Sequence, residues 1–246
     1  MKLIIPIFFI LNYIFTMSGL ELANLMDSRS KPLDIKSLNT MTLTNKKDKK
    51  KVLELISMSK DDSKKQMIWF LKPRKDKGIA FLKLEKEDED DFMTMWLPGF
   101  SRFKRIKSSQ KSDSFMGSDL SFEDMLSRDL DEFNYNILES DDTLYVLESI
   151  CNTEDSEYSR HVSWITKDNL LIKKEHSYDK NEKLLKKKSF KHILIDNYHV
   201  VSEIDVINVQ EQHQTILTIK TLELDTDIAD DTFQEKNLKR FEKFIK

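Results

Sequence analysis

The chain has 246 residues, with 40 Lys and Arg against 43 Asp and Glu and a net charge of -3, and the two signs are interleaved along its length. That balance excludes the basic footprint of a nucleic-acid binder and gives no steering toward an anionic membrane surface. Cys151 is the single cysteine, which excludes an internal disulfide, so a domain of this length draws its stability from its core.

After Met1 and Lys2 comes LIIPIFFILNYIF, an uncharged run of signal-peptide length and too short to span a bilayer as a helix. Thr16 and Ser18 fit a small-x-small cleavage pattern, so residues 1–19 read as a secretory signal and 20–246 as one mature domain. An uncleaved anchor is the competing reading. No cysteine follows the run to accept a lipoprotein acyl group, so the mature chain is expected to be soluble.

From Leu20 to Arg29, Leu22, Leu25 and Met26 fall at helical spacing. Period-two alternation then takes over in Leu38 to Thr44 and Val52 to Met58, a hairpin across NKKDKK. QMIWFLK (66–72), GIAFLKL (78–84) and FMTMWLP (92–98) follow as strands with charged tips, Pro98-Gly99 predicts a type II turn, and RFKRIK returns as a strand. NYNIL, TLYVLESI, HVSWITK, LLIKKEHSYD, KLLKKKSFKHI, YHVVSEIDVINV and TILTIKTLEL continue the pattern without a linker or a repeat. The expectation is a mainly β domain, one antiparallel sheet of about ten or eleven strands.

Two further helices are expected. Ser121 and Asp124 are spaced as a capping box, and Phe122, Met125, Leu126, Leu130 and Phe133 recur on one helical face, predicting an amphipathic helix inserted mid-sheet. A second begins at Thr232, with Glu235 three residues on, and carries Phe233, Leu238, Phe241, Phe244 and Ile245 onto the sheet.

The chain holds no GxSxG, HExxH, Walker or GxGxxG motif, so no catalytic residue and no cofactor is assigned. Its five histidines are scattered; His176 and His192 could meet across a hairpin, but zinc needs three or four converging ligands, so exposed strand histidines and no metal are expected. Glu85 to Asp91 lacks the glycine and alternating oxygens of a calcium loop and reads as a solvated hairpin tip. Arg102, Lys104 and Arg105 allow either a head-group site or a solvent-facing strand. MIWFL, AFL and FMTMWL are apolar on both faces, which requires a cover on the second face. Helices filling an ordinary core would serve, and so would a cavity in which Met93, Met95 and Met116 adapt to a flexible apolar ligand.

Together, FLKPRKDKGIAFLKL, WLPGFSRFKRIKSS and DSFMGSDLSFEDM resemble the LolA-like outer-membrane lipoprotein-sorting family, in particular the branch with a YLP-type strand, an RRI-type strand and an FMGxDxxYEDL segment. Trp96-Leu97-Pro98, Arg102 to Ile106 and Phe115 to Met125 match, with Phe122 where tyrosine is usual; KKEHSYDKNEKLLKKKSF and DDTFQEKNLKRF extend the likeness. The resemblance implies a strongly curved, half-open antiparallel β-barrel with helices covering its concave apolar face. It implies a periplasmic carrier that binds acyl chains of lipoproteins or lipids for transfer toward the outer membrane, with an inner-membrane transporter and an outer-membrane acceptor as partners. Trp69, Leu71, Leu82, Met93 and Met95 are then the groove. Phe115, Met116, Gly117, Phe122, Met125 and Leu126 are the lid, Gly117 allowing its sharp turn, and Arg102 and Arg105 are the head-group contacts. No residue matches the arginine that closes the lid in the better-known carriers. Two other classes stay open: an envelope scaffold or accessory subunit of an RND-type transporter without lipid carriage, and a hydrolase with an unrecognised site.

Overall fold

A computed structural model describes residues 17–86 and 89–244. The signal segment up to Thr16, part of the acidic tip and Ile245 lie outside the described residues. Alternation and turn chemistry build the rest. The strands are β1 (Asp34–Thr44), β2 (Lys50–Lys60), β3 (Lys65–Lys72), β4 (Ala80–Leu84), β5 (Phe92–Leu97), β6 (Arg102–Ile106), β7 (Phe133–Ser140), β8 (Leu144–Cys151), β9 (Tyr158–Thr166), β10 (Ile172–Asp179), β11 (Leu184–Ile195), β12 (Tyr198–Asn208) and β13 (His213–Leu224). Asp196 and Asn197, at φ 48° and 70°, form the two-residue turn between β11 and β12, a conformation that Asp and Asn tolerate and that matches strand twist.

All thirteen strands join one antiparallel sheet in the order β6-β5-β4-β3-β2-β1-β13-β12-β11-β10-β9-β8-β7. The count exceeds the expected ten or eleven because every apolar run forms its own strand. The sheet is not closed: β6 and β7 are its edges, and β1 paired with β13 joins its halves.

Residues directly opposite in a ladder share a face, so register carries each face across the sheet. One face runs from Met93 and Met95 through Phe81, Ile68 and Phe70 to Leu55, Leu53 and Met41. Beyond β1 the same face continues through Thr215, Val206, Lys188, Glu175 and Ser163 to Leu147. The other face of β2 to β6 carries Ile56, Met58, Met67, Trp69, Ala80, Leu82, Trp96 and Phe103. Two separate coverings therefore serve the doubly apolar strands. Phe115 and Phe122, from the connection at residues 107–132, pack on the first face, and Phe233 and Leu238, from the C-terminal segment, pack on the second.

Neither covering is the expected α-helix. Residues 121–133 form only the 3-10 turns Glu123–Met125 and Leu130–Glu132, and the C-terminal segment forms Asp230–Thr232, Glu235–Lys239 and Phe241–Lys243. The capping signal is real: the Asp124 amide donates to Ser121 Oγ at 3.2 Å and the Ser121 amide to Asp124 Oδ2 at 2.9 Å. It starts a single turn, because the same carboxylate is also held by two lysines of β11, and tertiary contact overrides helical propensity. In the C-terminal segment the two buried anchors, Phe233 and Leu238, are five residues apart and would face different sides of an α-helix. Asn237 Nδ2 donates to the Asp231 and Thr232 carbonyls, offering the backbone an alternative to helical bonding.

The helix α1 (Gly19–Asp27) forms as read, capped by Ser18 and Glu21. Leu22 and Ala23 pack with Leu147 and Ile165, and Leu25 is exposed. Pro98-Gly99 differs from the type II expectation: Pro98–Phe100 is a 3-10 turn, and its left-handed residue is Ser101 at φ 48°, not Gly99.

Candidate functional site

Because β6 and β7 are opposite edges, the connection at 107–132 passes from one edge of the sheet to the other as a strap over the first face. Its apolar half sits on β3 and β4. Phe115 and Phe122 are buried against Phe81, with ring centroids 5.2 Å and 5.8 Å away, and 5.7 Å from each other. Met116 and Gly117, at φ 56° and 78°, turn the chain between the bridged residues Ser114 and Ser121. Gly117 therefore does supply positive φ, although the turn leads back to a bridge and not into a helix.

The strap's second half is held by buried charge. Asp124 accepts from Lys186 at 2.9 Å, Lys188 at 2.6 Å and the Tyr158 hydroxyl at 2.9 Å. The three charged side chains are 2%, 3% and 6% exposed for Asp124, Lys186 and Lys188. Four residues on, Arg128 grips Glu175 through two parallel bonds of 2.7 Å and 2.8 Å, and Lys188 lies 3.3 Å from the same carboxylate. Burial alone would raise both carboxyls, but Lys188 and Lys186 hold Asp124, and Arg128 and Lys188 hold Glu175, well below the usual carboxylate range. Burial, with Arg128 alongside, pushes His161 well below an ordinary imidazole, so it stays neutral with Nδ1 2.9 Å from Ser177 Oγ. On the opposite side, the buried Lys83 ammonium donates to the Met125 carbonyl at 2.6 Å, and Glu85 accepts from the Ser127 amide at 3.1 Å. The segment 124–128 is thus clasped to both halves of the sheet.

Between the strap and β1 to β3 lies a cavity of about 390 Å³. Met41, Leu55, Ile68, Phe115, Leu120 and Met125 form its apolar wall, Ser37, Asn39, Ser57, Ser59 and Gln66 a polar one, and Arg29 and Lys31 border it. A second cavity of about 420 Å³ lies along the clasp, bordered by Arg128, Tyr158, His161, Glu175 and Lys188, and it shares Leu120 and Ile204 with the first.

The residues expected at a groove are divided between the faces. Met93 and Met95 belong to the cluster of Phe115 and Phe122, with Met116, Met125 and Leu126 packed against it. Trp69, Leu82 and Leu71 belong to the opposite cluster with Phe233 and Leu238, where Trp69 stacks on Phe244 at 4.9 Å. Arg102 and Arg105 are three apart on β6 and point to opposite faces, Arg102 over Phe100 and Arg105 over Phe92 at 3.9 Å. The histidines differ from the expectation of exposure at His161, which is buried. His176 lies opposite Lys187 and His192 opposite Val201, so these two do not face each other. Among the described residues no group of His, Cys, Asp and Glu could hold a metal ion, and no helix is long and apolar enough to cross a membrane. The clasp was not read from the sequence. Its signal was alternation in KLLKKKSF, which turns Lys186 and Lys188 to the strap while Lys187 points away.

A family model described as "Uncharacterized protein" matches residues 62–240. Among solved structures the chain is similar to a protein domain from Vibrio parahaemolyticus described as outer-membrane lipoprotein-sorting, with 28% identity, 90% of this chain and 98% of that one covered, and a TM-score of 0.85. It is similar to a DUF1329 family protein from Desulfovibrio piger at 31% identity, with 89% and 97% covered and a TM-score of 0.83. A LolA superfamily protein from Nitrosomonas europaea shares the fold at 17% identity, with 90% and 99% covered and a TM-score of 0.70. No curated protein matches the chain.

Proposed function

The chain belongs to the family of the Desulfovibrio piger DUF1329 protein, and from that premise we propose that it is a LolA-like periplasmic carrier of acyl chains. The observation that carries this reading is the cavity of about 390 Å³ beneath the strap, walled by Met41, Leu55, Ile68, Phe115, Leu120 and Met125. Its volume falls in the range of about 300–1,000 Å³ usual for small-ligand sites, and its apolar lining includes Met41 and Met125, unbranched side chains that adapt to a flexible chain. The solubility problem sets the need: each methylene withdrawn from water contributes about 0.8 kcal/mol, so an acyl chain of about 14 methylenes resists exposure by on the order of 11 kcal/mol. A carrier meets that need with apolar area alone and requires no reacting group. In this reading residues 1–19 direct export and are removed, α1 and the strap cover the concave face, and the strap is the lid. The donor is an inner-membrane transporter and the acceptor lies at the outer membrane.

Native mass spectrometry of gently purified protein tests the reading, with acyl-lipid adducts expected. Met125→Asp places a carboxylate against the cavity and is expected to weaken displacement of a fluorescent fatty acid far more than it lowers the urea midpoint. Equal binding by variant and parent would refute a ligand-covering strap. The second reading, a scaffold or accessory subunit of an RND-type transporter, draws on the packing of Phe81, Phe115 and Phe122, which fills the face over β3 and β4 as an ordinary core. Protein that emerges without adducts and binds no fatty acid selects it.

A further inference from the structure

A groove for hydrocarbon alone has no use for the polar wall of this cavity. Ser37 lies opposite Ser57 across β1 and β2, Ser59 lies opposite Gln66 across β2 and β3, and Asn39 follows Ser37 on the same face. The five residues form one patch that borders the cavity, inside a face that is otherwise Met41, Leu53, Leu55, Ile68 and Phe70. Ser37, Asn39 and Ser59 are buried. The patch spends little of its hydrogen-bonding capacity on itself. Asn39 Nδ2 donates to Ser37 Oγ at 2.9 Å and Gln66 Nε2 reaches Ser57 Oγ at 3.4 Å. Among the described residues, the Ser37 and Ser57 hydroxyls act only as acceptors, and Gln66 Oε1 is the one side-chain atom of the patch that is both fully buried and without a partner. A buried amide oxygen without a partner, as at Gln66, is costly, and alanine or valine would fill the serine positions of an ordinary apolar face.

The five residues carry no charge and offer hydroxyl donors beside an amide acceptor, which suits carbonyls and weakly polar N–H or O–H groups, while the charges of Arg29, Lys31, Lys60, Asp62 and Glu203 border the same cavity outside the patch. We propose that Ser37, Ser57, Ser59 and Gln66 bind the ester or amide linkage of an acyl ligand whose chain lies along the apolar wall, so that the protein selects acyl esters and amides over hydrocarbon chains joined by ethers. The inference rests on the carrier reading and names the chemistry its cargo presents. Serine hydroxyls donate to the linkage carbonyl, and Gln66 Oε1 accepts from an adjacent N–H or O–H.

Three probes test it on the mature chain: a fluorescent diacyl ester lipid, its dialkyl ether analogue, and a diacylated lipopeptide as competitor. The parent protein is expected to bind the ester about tenfold more tightly than the ether, the effect of one or two hydrogen bonds. In Ser57→Ala/Ser59→Ala that ratio falls below about threefold while ether affinity is unchanged. Because the ratio in the parent needs no variant, a folding defect cannot hide the result. Equal affinities in the parent, or a ratio that survives in a folded variant, overturn the proposal and leave the carrier reading standing; failure of both lipids to bind overturns the carrier reading and this with it. Competition by the lipopeptide supports a lipoprotein as source of the linkage, and binding of the ester lipid without such competition supports a free glycerolipid.

Discussion

Removing the Asp124 carboxylate should release the strap from the sheet, and the cost follows from its surroundings. Asp124→Ala takes the shared acceptor away from Lys186, Lys188 and Tyr158, all buried. Breaking a buried ion pair from one side costs about 3–5 kcal/mol, because a desolvated charge is left behind. Here the lower end applies: Lys186 keeps Glu157 at 3.1 Å and Lys188 keeps Glu175 at 3.3 Å. With a urea m-value near about 3 kcal/mol per M, a loss of about 3 kcal/mol lowers the midpoint by about 1 M. Amide exchange locates the damage, since the Phe115 and Phe122 amides, bonded to the Leu120 and Asp113 carbonyls, should lose protection before the strand amides do. The triple change Asp124→Leu, Lys186→Met and Lys188→Met should recover only part of the loss, because it removes three buried charges along with their attraction but strips the Tyr158 hydroxyl of its partners and leaves Glu175 with the Arg128 cation but without Lys188. A midpoint shift below about 0.3 M for Asp124→Ala, with the strap amides still protected, would show that the clasp does not hold the strap.

Acid should act through the same groups. The unfolded chain takes up protons near pH 4 that the native Asp124 and Glu175 refuse, so stability falls as pH drops below about 4, by up to about 2.7 kcal/mol per pH unit for the two. His161, kept neutral in the native state, adds a loss that begins below about pH 6.5, and His161→Gln should flatten that limb by about 1.4 kcal/mol per pH unit in urea titrations at stepped pH. Phe233→Ala should cost about 3–5 kcal/mol and Leu238→Ala about 2–5 kcal/mol, and both should alter the fluorescence of Trp69, which stacks on Phe244.

The strands were legible because alternation and turn residues are local. Each alternating run read between Leu38 and Leu224 contributes most of its length to a strand, and Leu22 and Met26 mark the face that α1 buries or half-buries. Which residues of neighbouring strands share a face was not legible. Alternation fixes the spacing within a strand, whereas the hairpins set the register between strands, and a shift of one residue moved Trp69 and Leu82 away from Met93 and Met95. The spacing at 122–133 was helical in pattern, yet Phe122 and Asp124 each answer to a partner on the sheet, and those contacts outweigh propensity. Lysines in KLLKKKSF read as solvated because charge is rarely buried without a partner, and the partner, Asp124, is 62 residues away in sequence from Lys186.

The pairing of β1 with β13 has a consequence for how the molecule is delivered. Ile35 lies opposite Leu224 and Thr44 opposite Gln214, so the seam between the halves of the sheet joins the start of the domain to nearly its end. Hairpins on either side can form from local contacts, but the seam must wait for the most distant strand pairing among the described residues, and such long-range pairings form slowly. For a polypeptide threaded head-first through a secretion pore, as the proposed export requires, that delay is useful. The first half of the sheet has no β13 to dock against until almost the entire chain has emerged, so connectivity itself keeps the two halves of the sheet apart until passage is nearly complete.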